Sequence, residues 1–196
     1  SYHFSTVHAP TAGELANSPA NPNGYMDAAR FYGPHRVISA LSNPEHKPTL
    51  CETLARQYSG NMTLAPDEAT ASRTPPFVNP RGFKEWFTDV LILFPMANFQ
   101  VTPGFTLAQN YWPVDHETTR WEFMMFTTPA QTAAHEIAHE YNRVFLRDVV
   151  REDVPNIEWI QKNLRSGAKT TQLLADQEIM VRHSYKTVSD YVGYGY

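Results

Sequence analysis

The chain reads as an α+β domain in which an antiparallel sheet packs against a long helix, and three features predict this. Four β-rich runs follow one another between residues 90 and 127, separated only by short breaks containing Pro or Gly, the pattern of an antiparallel meander. A long amphipathic stretch follows directly, and a shorter helical segment closes the chain. Helices gathered on one side of such a sheet are an α+β arrangement. A length of 196 residues suits one domain with a sizeable core, taken here as residues 1–196.

Each element has its own signal. Residues 1–9 are expected to be helical up to Pro10. From Ala9 to Pro48 the chain is rich in Pro, Ala, Asn and Gly. Asn17 to Gly24 reads as an extended loop, either bordering a pocket or a neighbouring subunit or forming a plain surface segment. Arg36 to Leu41 is a short strand within this region. Thr49-Leu-Cys-Glu52 fits a capping box, and Leu50, Leu54 and Tyr58 recur at helical spacing before Gly60. Asn61 to Pro76 is loop, and Asn79-Pro-Arg-Gly82 is a turn.

The meander consists of Val90 to Phe94, Asn98 to Thr102, Phe105 to Trp112 and Thr119 to Thr127, broken at Pro95, at Pro103-Gly104 and over Pro113 to Glu117. It holds Trp112, Trp121, Phe123, Met124, Met125 and Phe126, which suit either an apolar ligand surface or ordinary core. Thr128-Pro-Ala-Gln131 reads as a second capping box, opening a helix toward Val150 with Ile137, Tyr141, Val144, Phe145 and Val149 as its apolar stripe. Val154-Pro155 is expected to interrupt it. A short helix carrying Ile157, Ile160 and Leu164 would then run to Gly167, and a last helix would span Glu178 to Val192.

The net charge of −4 and a pI near 6.0 remove the basic field that nucleic-acid binding depends on. The longest apolar run, Val90 to Phe94, falls far short of a membrane span, so a soluble cytoplasmic protein is expected. Cys51 is the single cysteine, which excludes an internal disulfide; its place beside Leu50 in a helical pattern suggests a buried, inert thiol.

Chemistry concentrates at two points. The first eight residues place His3 and His8 five positions apart, and Arg151 to Glu158 supplies acidic partners far downstream. Two imidazoles and one carboxylate on one side of a metal form the ligand set of mononuclear non-haem Fe(II) oxygenases. A five-apart His pair alone is weak, arising by chance in roughly one chain of this composition in three. On a regular helix positions i and i+5 lie roughly 140° apart, so a shared metal requires an irregular turn.

Tyr2-His3-x4-His8 resembles the E-x-Y-H-x4-H iron site of the catalytic domain of Rieske non-haem iron ring-hydroxylating oxygenases, large (alpha) subunit. Glu152-Asp153-x4-Glu158-x2-Gln161 resembles the later segment of that family, in the expected order. The resemblance implies a helix-grip (START/Bet v1-like) fold, with a curved antiparallel sheet against a long helix. It implies His3, His8 and Asp153 as ligands of Fe(II), with Tyr2 orienting the first histidine. It further implies O2-dependent hydroxylation of an aromatic or other apolar substrate, as a dioxygenase or monooxygenase of aromatic hydrocarbon catabolism. Electrons would come from a Rieske [2Fe-2S] centre fed by NAD(P)H through a ferredoxin and/or reductase, in a homotrimer or an alpha3beta3 hexamer. Phe4, Val7 and Val149 flank these ligands as apolar pocket walls.

Asp153 is preferred over Asp148 because it precedes Val154-Pro155, an expected helix N-terminus where a carboxylate stays ionised; Glu152 is read as solvated. The chain departs from the family in lacking the Cys and His of a Rieske cluster, and the acidic residue before the first histidine would precede Ser1. A fragment of a longer subunit, without its N-terminal Rieske domain, is therefore expected.

Two rival readings stay open. His135-Glu136-Ile-Ala-His139 matches the H-E-x-x-H pattern of zinc metallopeptidases, with Glu136 as general base and Glu158 as third ligand. Both histidines are nevertheless expected on the polar, solvated face of the helix, beside Glu140 and Arg143. The second rival is a non-catalytic carrier of apolar ligands on the same fold. His35, His46, His116 and His183 stand alone and are assigned no role. No His-x-Asp or His-x-Glu occurs, which counts against 2-oxoglutarate-dependent oxygenases.

Overall fold

In the computed structural model, the described residues are 29–43, 45–58, 78–83, 86–102, 104–168 and 171–194. The expected helix at 1–9 and the loops at 17–24 and 61–76 lie outside them.

Six strands form one antiparallel sheet in chain order: β1 (Arg30–Tyr32), β2 (His35–Leu41), β3 (Trp86–Leu93), β4 (Ala97–Thr102), β5 (Phe105–Pro113) and β6 (Thr119–Phe126). From β3 to β6 the short connections of the meander dictate this order, because adjacent strands joined by tight turns pair antiparallel, whereas β2 and β3 pair across a long connection that contains a helix. The expected run at Val90 begins four residues earlier, at Trp86, and β2 gains a short edge partner in β1. The described residues also form three helices: α1 (Leu50–Tyr58), α2 (Ala133–Arg165) and α3 (Ile179–Val192), the last preceded by a 3-10 turn at Asp176–Glu178. An open, curved antiparallel sheet with one long helix is the helix-grip arrangement. Among the described residues no helix is long and apolar enough to cross a membrane.

The two-residue period of the strands sorts side chains onto two faces. Register puts Phe31, Arg36, Ile92, Asn98, Gln109 and Phe123 side by side on one face, with Tyr111 and Trp121 as the next facing pair. This face meets α3: the Phe31 ring lies 4.6 Å from His183, and the Phe94 ring 4.7 Å from Tyr191. Val37, Ser39, Asp89 and Ala108 belong to the opposite face and are also buried. There the turn at Asn79 to Gly82 closes over the sheet. Asp89, fully buried, accepts hydrogen bonds from the Asn79 backbone N–H at 2.5 Å and from the Trp86 indole at 2.8 Å.

The capping box of α1 forms as expected. The Thr49 N–H donates to Glu52 Oε2 at 2.6 Å, and the Glu52 N–H to Thr49 Oγ1 at 3.2 Å. Cys51 is exposed, not buried, in the first turn of α1.

The long helix departs from expectation at both ends and in the middle. Its N-cap is Thr132, whose hydroxyl accepts from the His135 N–H, so the box expected at Thr128 is not the start. Pro155 does not interrupt it: one helix runs to Arg165 and closes on Gly167 at φ 65°. A proline costs an internal hydrogen bond. Here the Asn156 side chain, donating to the Glu152 carbonyl at 2.9 Å, supplies one beside it. Asp153 accordingly sits mid-helix, and the helix-terminus argument for its ionisation does not hold. The expected stripe is also rotated in its first turns. Ile137 is 72% exposed whereas Ala138 is buried.

Two outcomes follow. Asp89→Ala strands two buried donors and is expected to lower unfolding free energy by about 2–4 kcal/mol, read by urea denaturation; an unchanged midpoint would contradict the role given to this carboxylate. Burial is the largest influence on the Glu52 carboxyl and raises it. Hydrogen bonds from Thr49 and His46, with the charge of His46, more than offset this and hold it below the ordinary value. A depressed carboxyl makes the unfolded chain bind more protons, so its stabilisation is present above the ordinary glutamate value and is lost as pH falls through the depressed one. Thermal melts of Glu52→Gln against the parent are expected to differ near pH 6, by about 1 kcal/mol, and to converge as the pH falls below the ordinary glutamate range.

Candidate functional site

The helix-facing side of β4, β5 and β6 carries a polar cluster set among aromatic rings. Gln109, 7% exposed, holds it together: its Oε1 accepts from the Tyr111 hydroxyl at 2.9 Å and from the Trp121 indole at 3.1 Å. The two rings stack at 5.5 Å, and Phe123 lies 4.3 Å from Trp121 at a 45° tilt. Alternation explains the grouping, since Gln109 and Tyr111 are two apart on β5 and face Phe123 and Trp121 on β6. Asn98, opposite Gln109 on β4, hydrogen-bonds Tyr111 through its side chain, while its Oδ1 is buried without a partner.

Asp153 belongs to this neighbourhood. Burial is the main reason the Tyr111 phenol is raised above its ordinary value; hydrogen bonds with Asn98 and Trp121 oppose this, and the nearby Asp153 charge adds to it. The Asp153 side chain is half-buried on α2, and Val149, one turn earlier, is half-buried too. At the far end of the helix, Arg165 Nε reaches Glu117 Oε1 at 3.0 Å and ties α2 to the β5–β6 connection. α2 thus crosses the sheet at the strands that bear the aromatic cluster.

The other acids divide clearly. Asp148 accepts from Arg147 at 2.8 Å, a solvent-facing pair remote from the role of ligand. Glu152 is half-buried and not simply solvated. His3, His8, Tyr2, Phe4 and Val7 lie outside the described residues. Among the described residues no three His, Cys, Asp or Glu side chains converge on one point, and Asp153 is the one member of the expected triad that they include. As a donor it fits a hard divalent metal: an oxygen ligand, half-buried and close to hydrogen-bonding aromatic groups.

His135 and His139 are half-buried and not on an exposed face. His135 Nδ1 accepts from the Gln131 N–H at 3.3 Å, and His139 Nε2 is buried without a partner. Glu158 cannot join them. Nineteen residues along one continuous helix place it roughly 28 Å from His139 along the axis, so the expected peptidase ligand set does not assemble.

Of the meander aromatics, Trp121, Phe123 and Met125 share the Gln109 face, whereas Trp112, Met124 and Phe126 point to the other. Motif reading missed Gln109, Asn98 and Tyr111; the two-residue spacing of Gln109 and Tyr111 on β5, and of Trp121 and Phe123 on β6, was the available signal. Three of the four histidines without assigned roles have structural partners: His35 accepts from the Phe94 N–H, His46 meets Glu52 and His183 meets the Gly33 carbonyl, whereas His116 is exposed.

Gln109→Leu keeps the volume but removes the shared acceptor, stranding a phenol and an indole donor. Stability is expected to drop by about 2–3 kcal/mol, with the near-UV circular dichroism of the stacked pair reduced; an unaltered near-UV spectrum would count against the cluster.

The family described as ring hydroxylating alpha subunit (catalytic domain) matches residues 1–194. No curated protein matches the chain. A match across nearly the whole length, on a helix-grip sheet with a half-buried acid on its long helix, places the chain in the ring-hydroxylating alpha-subunit catalytic-domain family.

Proposed function

We propose that this oxygenase domain holds Fe(II) through His3, His8 and Asp153 and hydroxylates an aromatic or other apolar substrate. The observation that carries the reading is the family match, combined with a half-buried Asp153 beside the Tyr111–Trp121 wall. The donor set is chemically apt, since two neutral imidazoles and a carboxylate leave coordination positions open on the opposite side. Bound there, the iron would supply activation of O2, with electrons from a Rieske [2Fe-2S] centre fed by NAD(P)H through a ferredoxin and/or reductase.

The chain's own residues have distinct tasks in this reading. Asp153 offers its carboxylate from a helix anchored at Arg165, so its position is set by the sheet. Tyr2 orients the His3 ring, the support that ligating imidazoles generally receive. Phe4, Val7 and Val149 form apolar walls, extended by Trp121 and Phe123 from β6. Apolar walls exclude water and favour a ring over a polar competitor. The Asn98 Oδ1, buried without a partner, suits a donor group on the substrate or a water. Assembly as a homotrimer or alpha3beta3 hexamer and a cytoplasmic location accompany this reading.

Metal analysis of the purified chain tests it. Iron is expected in the parent and in His135→Ala, and near background in His3→Ala, His8→Ala and Asp153→Ala. Zinc lost on His135→Ala would instead favour the peptidase, and a metal-free parent the apolar-ligand carrier.

A further inference from the structure

The far edge of the sheet, where β1 meets α3, contains a cavity of about 790 Å3. This lies within the size range of small-molecule sites. β1 contributes Phe31 to its wall, the chain entering α3 contributes Gln172 and Leu174, and α3 itself contributes Ile179, His183 and Tyr185, with Arg182 and Lys186 beside them. Four strand spacings, roughly 19 Å, separate β1 from β5, which carries Gln109 and Tyr111, so this cavity is distinct from the aromatic wall near Asp153.

The charged and polar groups of this wall are already engaged with one another. Arg182 Nη2 donates to the Leu174 carbonyl at 2.7 Å and to Asp176 at 3.2 Å. Lys186 Nζ donates to the two Asp190 oxygens at 2.9 and 2.8 Å, and the Tyr185 hydroxyl to Gln172 Oε1 at 2.7 Å. His183 Nε2 lies 3.1 Å from the Gly33 carbonyl, which can only accept, so that nitrogen donates. Burial is the largest influence on this imidazole; with the charges of Arg36 and Lys186 it holds the ring below its ordinary value despite the Gly33 hydrogen bond. At neutral pH His183 therefore presents an uncharged ring.

What this pairing leaves to a ligand is apolar surface. Phe31 is 41% and Tyr185 45% exposed, and Leu174 and Ile179 are half-buried aliphatic groups between them in the wall. The Phe31 ring lies 4.6 Å from that of His183 at a 38° tilt, so two uncharged rings adjoin in the lining. A charged guest would shed its water here without gaining an unpaired counter-charge: an anion competes with Asp176 and Asp190 for their cations, and a cation competes with Arg182 and Lys186 for their acids. A neutral guest forfeits little hydration. Ring-lined walls further favour a flat guest, because aromatic pairs gain from offset or edge-to-face contact beyond the area they bury.

We propose that this cavity binds a neutral aromatic molecule of one or two rings, laid against Phe31 and His183 and flanked by Leu174 and Ile179. Closed ion pairs in the lining exclude charged relatives of the same molecule, and the adjoining rings select a flat body over a flexible aliphatic one. The site is additional to the one read at Asp153 and stands whether or not a metal is held there, because none of its residues belongs to that neighbourhood.

Titration of the purified, isotope-labelled chain with indole, followed by amide NMR, tests this, with indole-3-carboxylate as the anionic counterpart. Saturable shifts are expected at the amides of Phe31, Leu174 and residues 179–186, with the carboxylate weaker by roughly 10-fold or more, the least cost of desolvating a charge that finds no partner. Leu174→Trp fills the cavity and should abolish these shifts, and the same spectra report whether the variant is folded. Phe31→Ala, on an exposed edge strand, removes one ring face without filling the space and should weaken indole several-fold. Asp153→Asn should leave these shifts intact, which separates this site from an aromatic guest bound near the metal ligands. Absence of saturable shifts at these amides, equal or tighter binding of indole-3-carboxylate, unchanged binding in Phe31→Ala or in folded Leu174→Trp, or loss on Asp153→Asn would each overturn the proposal.

Discussion

Gln109 receives two hydrogen bonds on one oxygen, and the helix-facing wall of β5 and β6 depends on that sharing. An amide buried to this degree must be satisfied, and the partners that satisfy it are aromatic. The Tyr111 hydroxyl and the Trp121 indole are thereby held in one plane of contact, their rings stacked and Phe123 tilted against the second. An aromatic surface that would otherwise sample several rotamers becomes a rigid wall. Asp153 reaches this wall from α2, close enough for its charge to be felt at the Tyr111 phenol. Sheet alternation, a buried amide and one helical acid thus meet at a single place.

The continuity of α2 is the second constraint. Had the helix stopped at Pro155, Asp153 would have been a terminal residue on a mobile corner. Instead the Asn156 side chain serves the Glu152 carbonyl, the helix continues, and Arg165 is fixed to Glu117. Rigid placement of an acid matters more for ligation than a favourable helix terminus, because ligand geometry tolerates little displacement. The same continuity removes Glu158 from the reach of His135 and His139. One structural fact therefore supports one chemistry and disfavours another.

The sheet is used differently along its width. At β5 and β6 the helix-facing side is aromatic and internally hydrogen-bonded. At β1 and β2 the same face carries the buried Arg36, with His183 of α3 above Phe31. On the opposite face Asp89 is fully satisfied by Asn79 and Trp86 and only anchors a turn. Buried charge alone does not mark a site. A charge with partners is architecture.

Much of the fold could be read from the letters alone. Strand alternation, the Pro and Gly breaks, the Thr49–Glu52 capping box and the closing helix are local signals, and local signals survive because they act over a few residues. Membership of the ring-hydroxylating family was equally legible, in Tyr2-His3-x4-His8 and Glu152-Asp153. Tertiary structure decided what depends on neighbours distant in the chain. It turned Ala138 inward and Ile137 outward, exposed Cys51 and carried α2 through Pro155. It also paired Gln109 with Trp121 and left Arg36 Nε and Nη1 without hydrogen-bond partners. Periodicity specifies which residues share a face, but only packing determines which face is buried and which polar group finds a partner.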